Sequence, residues 1–200
     1  MIGVGLGPGD PNLLTLEAVE VLKSAKKVFV PGRVSYELTK PYSDPEILTF
    51  PMTRDKGELS KAWGENVKII SKYAGTEKTA FGVLGDPNVF STFSRVAAIL
   101  KRSHPQIRVK TVPGVSSITA CLSRLNESIG DSFVVSDRSA VRSTIVLKAT
   151  NPREIASSLE REGFSQLKLL EAGFTERERC YDRDFPARSE YFSIMYAKRT

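Results

Sequence analysis

The tetrapeptide Gly-Asp-Pro-Asn stands twice in this 200-residue chain, at Gly9–Asn12 within GVGLGPGDPNLLT and at Gly85–Asn88 within VLGDPNVFST. Each copy follows an apolar run that reads as a strand and precedes residues suited to start a helix. Glycine lets main-chain N–H and C=O groups come close to a ligand, while proline fixes the bend and removes a donor. The chemistry open to such corners is backbone recognition of a small polar group. The known nucleotide loops do not fit. A dinucleotide fingerprint fails because the sixth residue from Gly3 is Pro8 and from Gly5 is Asp10, and a phosphate-binding Walker loop fails for want of a lysine. Gly3, Gly5, Gly7 and Gly9 would allow close backbone approach at the end of a first strand. The alternative is a tight turn that merely packs, and for the second copy that Asp86 caps a helix beginning near Ser91. If both strands share one parallel sheet, the two corners project from the same edge and line one crevice.

Other reactive residue types give no constellation. His104 is the single histidine, in RSHPQ, and reads as a surface turn; serines are plentiful but lack a histidine partner, so no hydrolytic triad is supported. Cys121 and Cys180 lie far apart with neither a CxxC partner nor histidine-rich company, which argues against a disulfide framework and against a metal site. Both are expected to be small buried apolar residues.

The elements that would position the corners alternate between strand and helix, the pattern of an α/β chain. Ile2–Gly5 reads as a first strand, and Leu16, Val19 and Leu22 mark a helix over Thr15–Ser24 with lysines near its C-terminal end. KVFVPG is a strand and turn. The stretch 34–50, with Pro41 and Pro45, reads as mostly loop. Leu59, Ala62, Trp63, Val67 and Ile70 mark a long helix, TAFGVLG a strand, Phe93–Leu100 a helix and RVKTVPG a strand. The second half opens with a helix cap at Ser116 or Ser117, then offers strand candidates SFVVSD, TIVLKA, LKLLEA, ERCYD and YFSIMYA. One helix interrupts them, from Asn151 as cap and Pro152 as first residue to a stop at Gly163. The change of pattern at Pro113-Gly114 predicts two small α/β lobes, residues 1–113 and 114–200.

Composition is that of a globular protein, 40% hydrophobic and 26% charged. No apolar run approaches the ~20 residues of a membrane-spanning helix, and Met1 leads directly into a strand without a basic prelude. The expectation is a cytoplasmic protein without a membrane partner. Net charge is +6, of which residues 1–114 carry +5. That excess suits nucleic acid, a polyanionic metabolite or neither. Ten arginines against three lysines in residues 115–200 lean toward fixed recognition of carboxylates or phosphates.

VGLGPGDPNLLTLEAVEVL, VLGDPNVFSTF and VPGVSS, in that order and spacing, resemble the tetrapyrrole methylase family. FPMTRDKGELSKAW at Phe50–Trp63, followed by GDPNVFSTF, is most similar to the members that methylate C20 of precorrin-2 or of cobalt-factor II. The resemblance covers residues 1 to about 125 and the remainder more loosely, and the C-terminal half is short for the family. It implies two α/β lobes with the active site in the cleft between them, S-adenosylmethionine as methyl donor leaving as S-adenosylhomocysteine, and a homodimer in corrinoid synthesis. It also implies a cofactor site at Pro8, at Leu84, Gly85, Asp86 and Val89, at Ser116 and Ser117, and at Lys148 and Gly173. Many relatives carry an apolar residue where Lys148 stands, and a cation near a sulfonium is unfavourable unless it points away.

Transfer from a sulfonium is an in-line displacement from an activated donor, so the absence of a nucleophile–base pair is expected. By the resemblance the nucleophile is the substrate's own C20 carbon, and no catalytic residue is assigned: Asp86, a substrate carboxylate or water could take the released proton. Arg33 and Arg54 are the candidates for the carboxylates of the substrate. Nothing resembles the aromatic platforms of RNA-binding modules. Two alternatives are methylation of another tetrapyrrole position and a non-catalytic tetrapyrrole carrier.

Overall fold

The computed structural model describes all residues except 52–54 and 136–137, and the side chain of Lys56. The chain divides into two compact units, Met1–Ser132 and Phe133–Thr200.

The first unit is built on five parallel strands: β1 (Ile2–Gly5), β2 (Lys27–Val30), β3 (Pro45–Ile47), β4 (Thr79–Val83) and β5 (Lys110–Val112), in the spatial order β3-β2-β4-β1-β5. A parallel sheet buried on both faces needs continuous apolar strands, and β4 is buried at every position. Helices α1 (Leu16–Ser24) and α2 (Arg33–Thr39) supply Ala18, Leu22 and Leu38 to a core with Val4, Val28 and Ala80. Helices α3 (Lys56–Ala74) and α4 (Thr92–Ser103) supply Val67, Ile70, Phe93, Val96 and Leu100 to a second core with Phe29 and Phe81. Gly3 is required here, since a Cβ on it would fall 2.3 Å from the Phe93 ring. Helix α5 (Ser117–Leu125) follows β5.

The stretch read as mostly loop holds both α2 and β3. In α2 the buried residues are Ser35, Leu38 and Thr39, so two of the three are polar and the apolar stripe is hidden. β3 is a three-residue edge strand, and edges tolerate Pro45 because its missing N–H faces no partner. The corner at Pro113-Gly114, expected as the meeting point of two lobes, is tied into the first unit. Thr15 Oγ1 donates to Pro113 O at 3.5 Å, and beyond the corner Arg124 reaches Asp10 at 3.4 Å.

In the second unit β6 (Ser143–Leu147), β7 (Gln166–Glu171), β8 (Arg179–Tyr181) and β9 (Ile194–Lys198) form an antiparallel sheet in the order β6-β9-β7-β8. Helix α6 (Pro152–Arg161) covers one face, packing Ala156 and Leu159 on Leu167, Leu169, Met195 and Ala197. Asn151 stands at the cap, yet its side chain does not bond the helix; its Oδ1 accepts from Arg188 instead. The expected strand SFVVSD does not form over residues 132–135. Phe133, Val134 and Val135 have β-forming side chains but no strand beside them, and propensity without a partner makes no ladder. Positions 136 and 137 lie outside the described residues. Cys121 and Cys180 are exposed, against expectation. α5 carries no buried residue, and Cys180 lies on the edge strand β8. Among the described residues no helix is long and apolar enough to cross a membrane and no acid, histidine or cysteine cluster could hold a metal.

Candidate functional site

β1 and β4 are adjacent and parallel, with Gly5 level with Val83, so the two Gly-Asp-Pro-Asn corners leave the carboxyl edge of the sheet side by side. They are bonded to each other: Leu6 N–H donates to Val83 O at 2.8 Å and Gly85 N–H to Gly7 O at 2.7 Å. The third corner, after β5, joins them from the other side of β1. A Cβ on Gly5 would lie 2.4 Å from Gly114 N, and one on Gly114 would lie 2.3 Å from Gly85 O. Three main chains therefore touch where no side chain fits.

The glycines divide into two roles. Gly3, Gly5, Gly7 and Gly114 make room for the protein itself, namely for Phe93, for one another and for the Leu13 carbonyl. Gly9 and Gly85 have nothing within 4 Å of a built Cβ, and Gly85 has φ +67. At those two positions bare backbone faces open space. For the others, the alternative of a corner that packs is the correct one.

Asp86 has one foot on each of two corners. Oδ1 accepts from Asn88 N–H at 2.8 Å, and Oδ2 accepts from Gly114 N–H at 3.1 Å. It does not cap α4, since Ser91 does so, accepting from Ser94 N–H at 3.1 Å. Asp10 shows the same local turn, accepting from Asn12 N–H at 2.9 Å. The repeated tetrapeptide is thus an aspartate-closed turn whose glycine lies in the left-handed region in both copies. Pro8 is half-buried beside the first copy. Leu84, Val89 and Phe90 are exposed around the second, and Phe90 holds φ +47, a conformation costly for an aromatic residue. Ser116 caps α5, accepting from Ile118 N–H at 3.2 Å, and Ser117 is its exposed first residue.

Arg33 opens α2 just beyond β2, on the same carboxyl edge. It is exposed, pairs with Glu37 at 2.5 Å and stacks its guanidinium 5.7 Å from the Tyr36 ring centre. Arg54 lies outside the described residues. His104 ends α4 with its Nδ1 2.8 Å from Ser103 Oγ.

Within the second unit Lys148 and Gly173 come together at one edge, because β6 and β7 both run antiparallel to β9. Ala149 N–H donates to Ser193 O at 2.9 Å and Gly173 N–H to Phe192 O at 3.4 Å. This edge carries three non-glycine residues with positive φ, Lys148 at +55, Ala172 at +48 and Phe174 at +63. The Lys148 ammonium lies over the Tyr191 ring, 5.1 Å from its centre. A hydrogen bond to the Tyr191 hydroxyl holds its pKa above the ordinary lysine value, with a smaller charge contribution from the same group. Phe174, Tyr191 and Phe192 are exposed beside it. Sequence reasoning missed these aromatics. It placed Tyr191 and Phe192 inside a strand that starts at Ile194; two adjacent aromatics, of which only one can face a core, were the available signal.

A family model described as Tetrapyrrole (Corrin/Porphyrin) Methylases matches residues 1–169. The probable cobalt-precorrin-2 C(20)-methyltransferase of Methanocaldococcus jannaschii is 43% identical over 133 residues, 62% of this chain and 56% of that protein. The chain thus spans about half the length of curated relatives it matches. Among solved structures, uroporphyrin-III-C-methyltransferase from Thermus thermophilus superposes with a TM-score of 0.52 at 20% identity over 99% of this chain and 91% of that one. Precorrin-6Y methylase from Archaeoglobus fulgidus gives 0.51 at 22% identity over 100% and 98%. At these identities the likeness concerns the fold.

Proposed function

Because the chain belongs to the tetrapyrrole (corrin/porphyrin) methylases, we propose that it transfers a methyl group from S-adenosylmethionine to C20 of precorrin-2 or its cobalt-bearing counterpart. The observation that carries the reading is the meeting of three corners at one sheet edge, with open space on the side of Gly85 where a Cβ would stand. The 43% identity to a relative of that name supports the choice of carbon.

The residues fit the donor. It is a compact cation with hydrogen-bonding groups, and the open Cβ side of Gly85 beside apolar Leu84 and Val89 admits such a molecule without opposing its charge. The contacts we propose are Pro8, Leu84, Gly85, Asp86, Val89, Ser116 and Ser117, and, by the family resemblance, Lys148 and Gly173. Asp86 contributes through its main chain, since its carboxylate already accepts from two amides. Lys148 likewise contributes through its backbone, because its ammonium rests on Tyr191 and does not confront a sulfonium.

When bound, the cofactor supplies a methyl group already activated on sulfur. The work left to the chain is alignment, which supplies about 7–11 kcal/mol in well-oriented reactions. Arg33, and Arg54 by sequence, hold substrate carboxylates. The proton leaving the methylated carbon passes to a substrate carboxylate or to water in preference to Asp86, whose oxygens are engaged. In this reading the protein is a cytoplasmic homodimer.

The test is an anaerobic assay with methyl-labelled cofactor on metal-free and cobalt-bearing substrate, followed by mapping of the labelled carbon. Label at C20 is the expected result, and label at another carbon assigns the chain to a different member activity. Tetrapyrrole binding without methyl incorporation, together with indifference to S-adenosylhomocysteine in calorimetry, identifies a carrier.

A further inference from the structure

Between α3 and α4 runs an open groove of about 540 Å³ that belongs to neither edge described above. Trp63, Gly64, Ala98 and Ile99 line it with apolar or small surface, and Arg95 and Arg102 stand along the α4 side. Trp63 is fixed before any ligand arrives: its ring lies 4.5 Å from that of Phe50 and under the Arg95 guanidinium at 5.8 Å. Arg95 and Arg102 are both exposed and seven residues apart, about 10.5 Å along a helix at 1.5 Å per residue.

The two charged residues that line the groove, Arg95 and Arg102, are both basic, while α3 carries exposed Glu58 and Glu65 on the adjoining turns. From Pro87 to Asn126 the chain has no acidic residue and six basic ones. Five of them, Arg95, Lys101, Arg102, Arg108 and Lys110, enter none of the ion pairs among the described residues. The sixth, Arg124, pairs with Asp10. Unpaired cations beside a preformed apolar cleft are the complement of an acidic amphipathic helix, whose apolar stripe fills the groove while carboxylates two turns apart meet the arginines.

We propose that the α3–α4 groove is a docking site for an acidic amphipathic helix of a partner protein. A nucleic acid fits less well. The groove offers one aromatic ring, already engaged by Phe50 and Arg95, so no stacking platform is free. This inference does not depend on which carbon the enzyme methylates.

Trp63 is the only tryptophan in the chain, so its emission reports occupancy directly. The probe is a synthetic helical peptide of about five turns, with glutamates spaced seven apart and leucines on the face between them. Saturable change in Trp63 emission is expected. The Arg95→Glu/Arg102→Glu variant should weaken binding about tenfold or more, as expected for loss of paired charges. Ala98→Phe, which fills the groove without altering charge, should weaken it as well. Circular dichroism checks that each variant is folded. Equal binding by a scrambled peptide of the same composition, indifference to Ala98→Phe, or absence of a saturable signal overturns the proposal. Tighter binding of an oligothymidylate would make the face a nucleic-acid surface and overturn it equally.

Discussion

Asp86 joins two corners through single hydrogen bonds of 2.8 and 3.1 Å, so its removal has two effects. Asp86→Ala leaves the partly buried Gly114 amide without its acceptor, which costs about 1–3 kcal/mol, and hands the exposed Asn88 amide to water. Urea unfolding should show that loss, together with weaker binding of S-adenosylhomocysteine; unchanged stability would mean that the bridge does not form. The glycines make an ordered pair of tests. At Gly85→Val the Cβ enters open space but the residue must adopt φ +67, which costs an L-residue about 1–2 kcal/mol or more. It should fold and fail to bind S-adenosylhomocysteine. Gly114→Ala drives a methyl into the Gly85 carbonyl and should lose stability before affinity is in question. Thermal melts and calorimetry on both decide, and the reverse ranking refutes the division of roles. For Lys148 the folded pKa is raised. Its contribution is therefore complete below the unfolded value of about 10.4 and fades as pH rises through the folded one. The group is exposed, so solvent screens the effect and it is small. The sharper readout is the Lys148 titration by NMR, whose midpoint should fall in Tyr191→Phe; an unmoved midpoint removes the Tyr191 hydroxyl as its cause.

At the scale of elements, the caps carry the pH dependence. Asp55 caps α3 by accepting from the Glu58 and Gly57 amides, at 2.9 and 2.7 Å, and these bonds, Glu58 first, hold its carboxyl below the usual range. A depressed folded pKa gives stabilisation that is present above the unfolded value of about 3.9 and is lost as pH falls through the folded one. The hydrogen-exchange protection factors of the first turn of α3, referred to the intrinsic rate at each pH, should fall on acidification across that window and should be low at both ends in Asp55→Ala; protection independent of pH would contradict the cap. Most elements were legible from residue pattern: β1 begins and ends where its apolar run does, and α1 starts after Thr15, whose hydroxyl accepts from Ala18 N–H. The failures share a cause. α2 buries polar residues, β3 is three residues long, and Phe133–Val135 has strand-forming side chains without a neighbour. In each case partners distant in sequence decided the outcome.

For the molecule as a whole, a ligand that binds only the folded state stabilises it by mass action. S-adenosylhomocysteine at a hundred times its dissociation constant should add about 2.7 kcal/mol, which for a chain of this size raises Tm by about 5–11 °C. Differential scanning at increasing ligand tests this, and an unmoved Tm removes the cofactor assignment. The two units have separate cores. The corner at Pro113-Gly114 looked like a linker in the sequence because proline and glycine also mark boundaries. Packed against Gly5 and Gly85, it belongs to the three-corner junction of the first unit.

The amino-acid order alone determined the alternation of strand and helix, the paired Gly-Asp-Pro-Asn corners and the family they resemble, because these rest on local periodicity and on short turns whose chemistry is written in neighbouring residues. Only the tertiary structure decided which glycines serve packing and which leave backbone open. It also decided that Asp86 spends its carboxylate on Gly114 and that the Lys148 ammonium rests on Tyr191. Each of those facts joins residues 28 or 43 positions apart, and contacts across such distances are set by strand order and register, which no local pattern encodes.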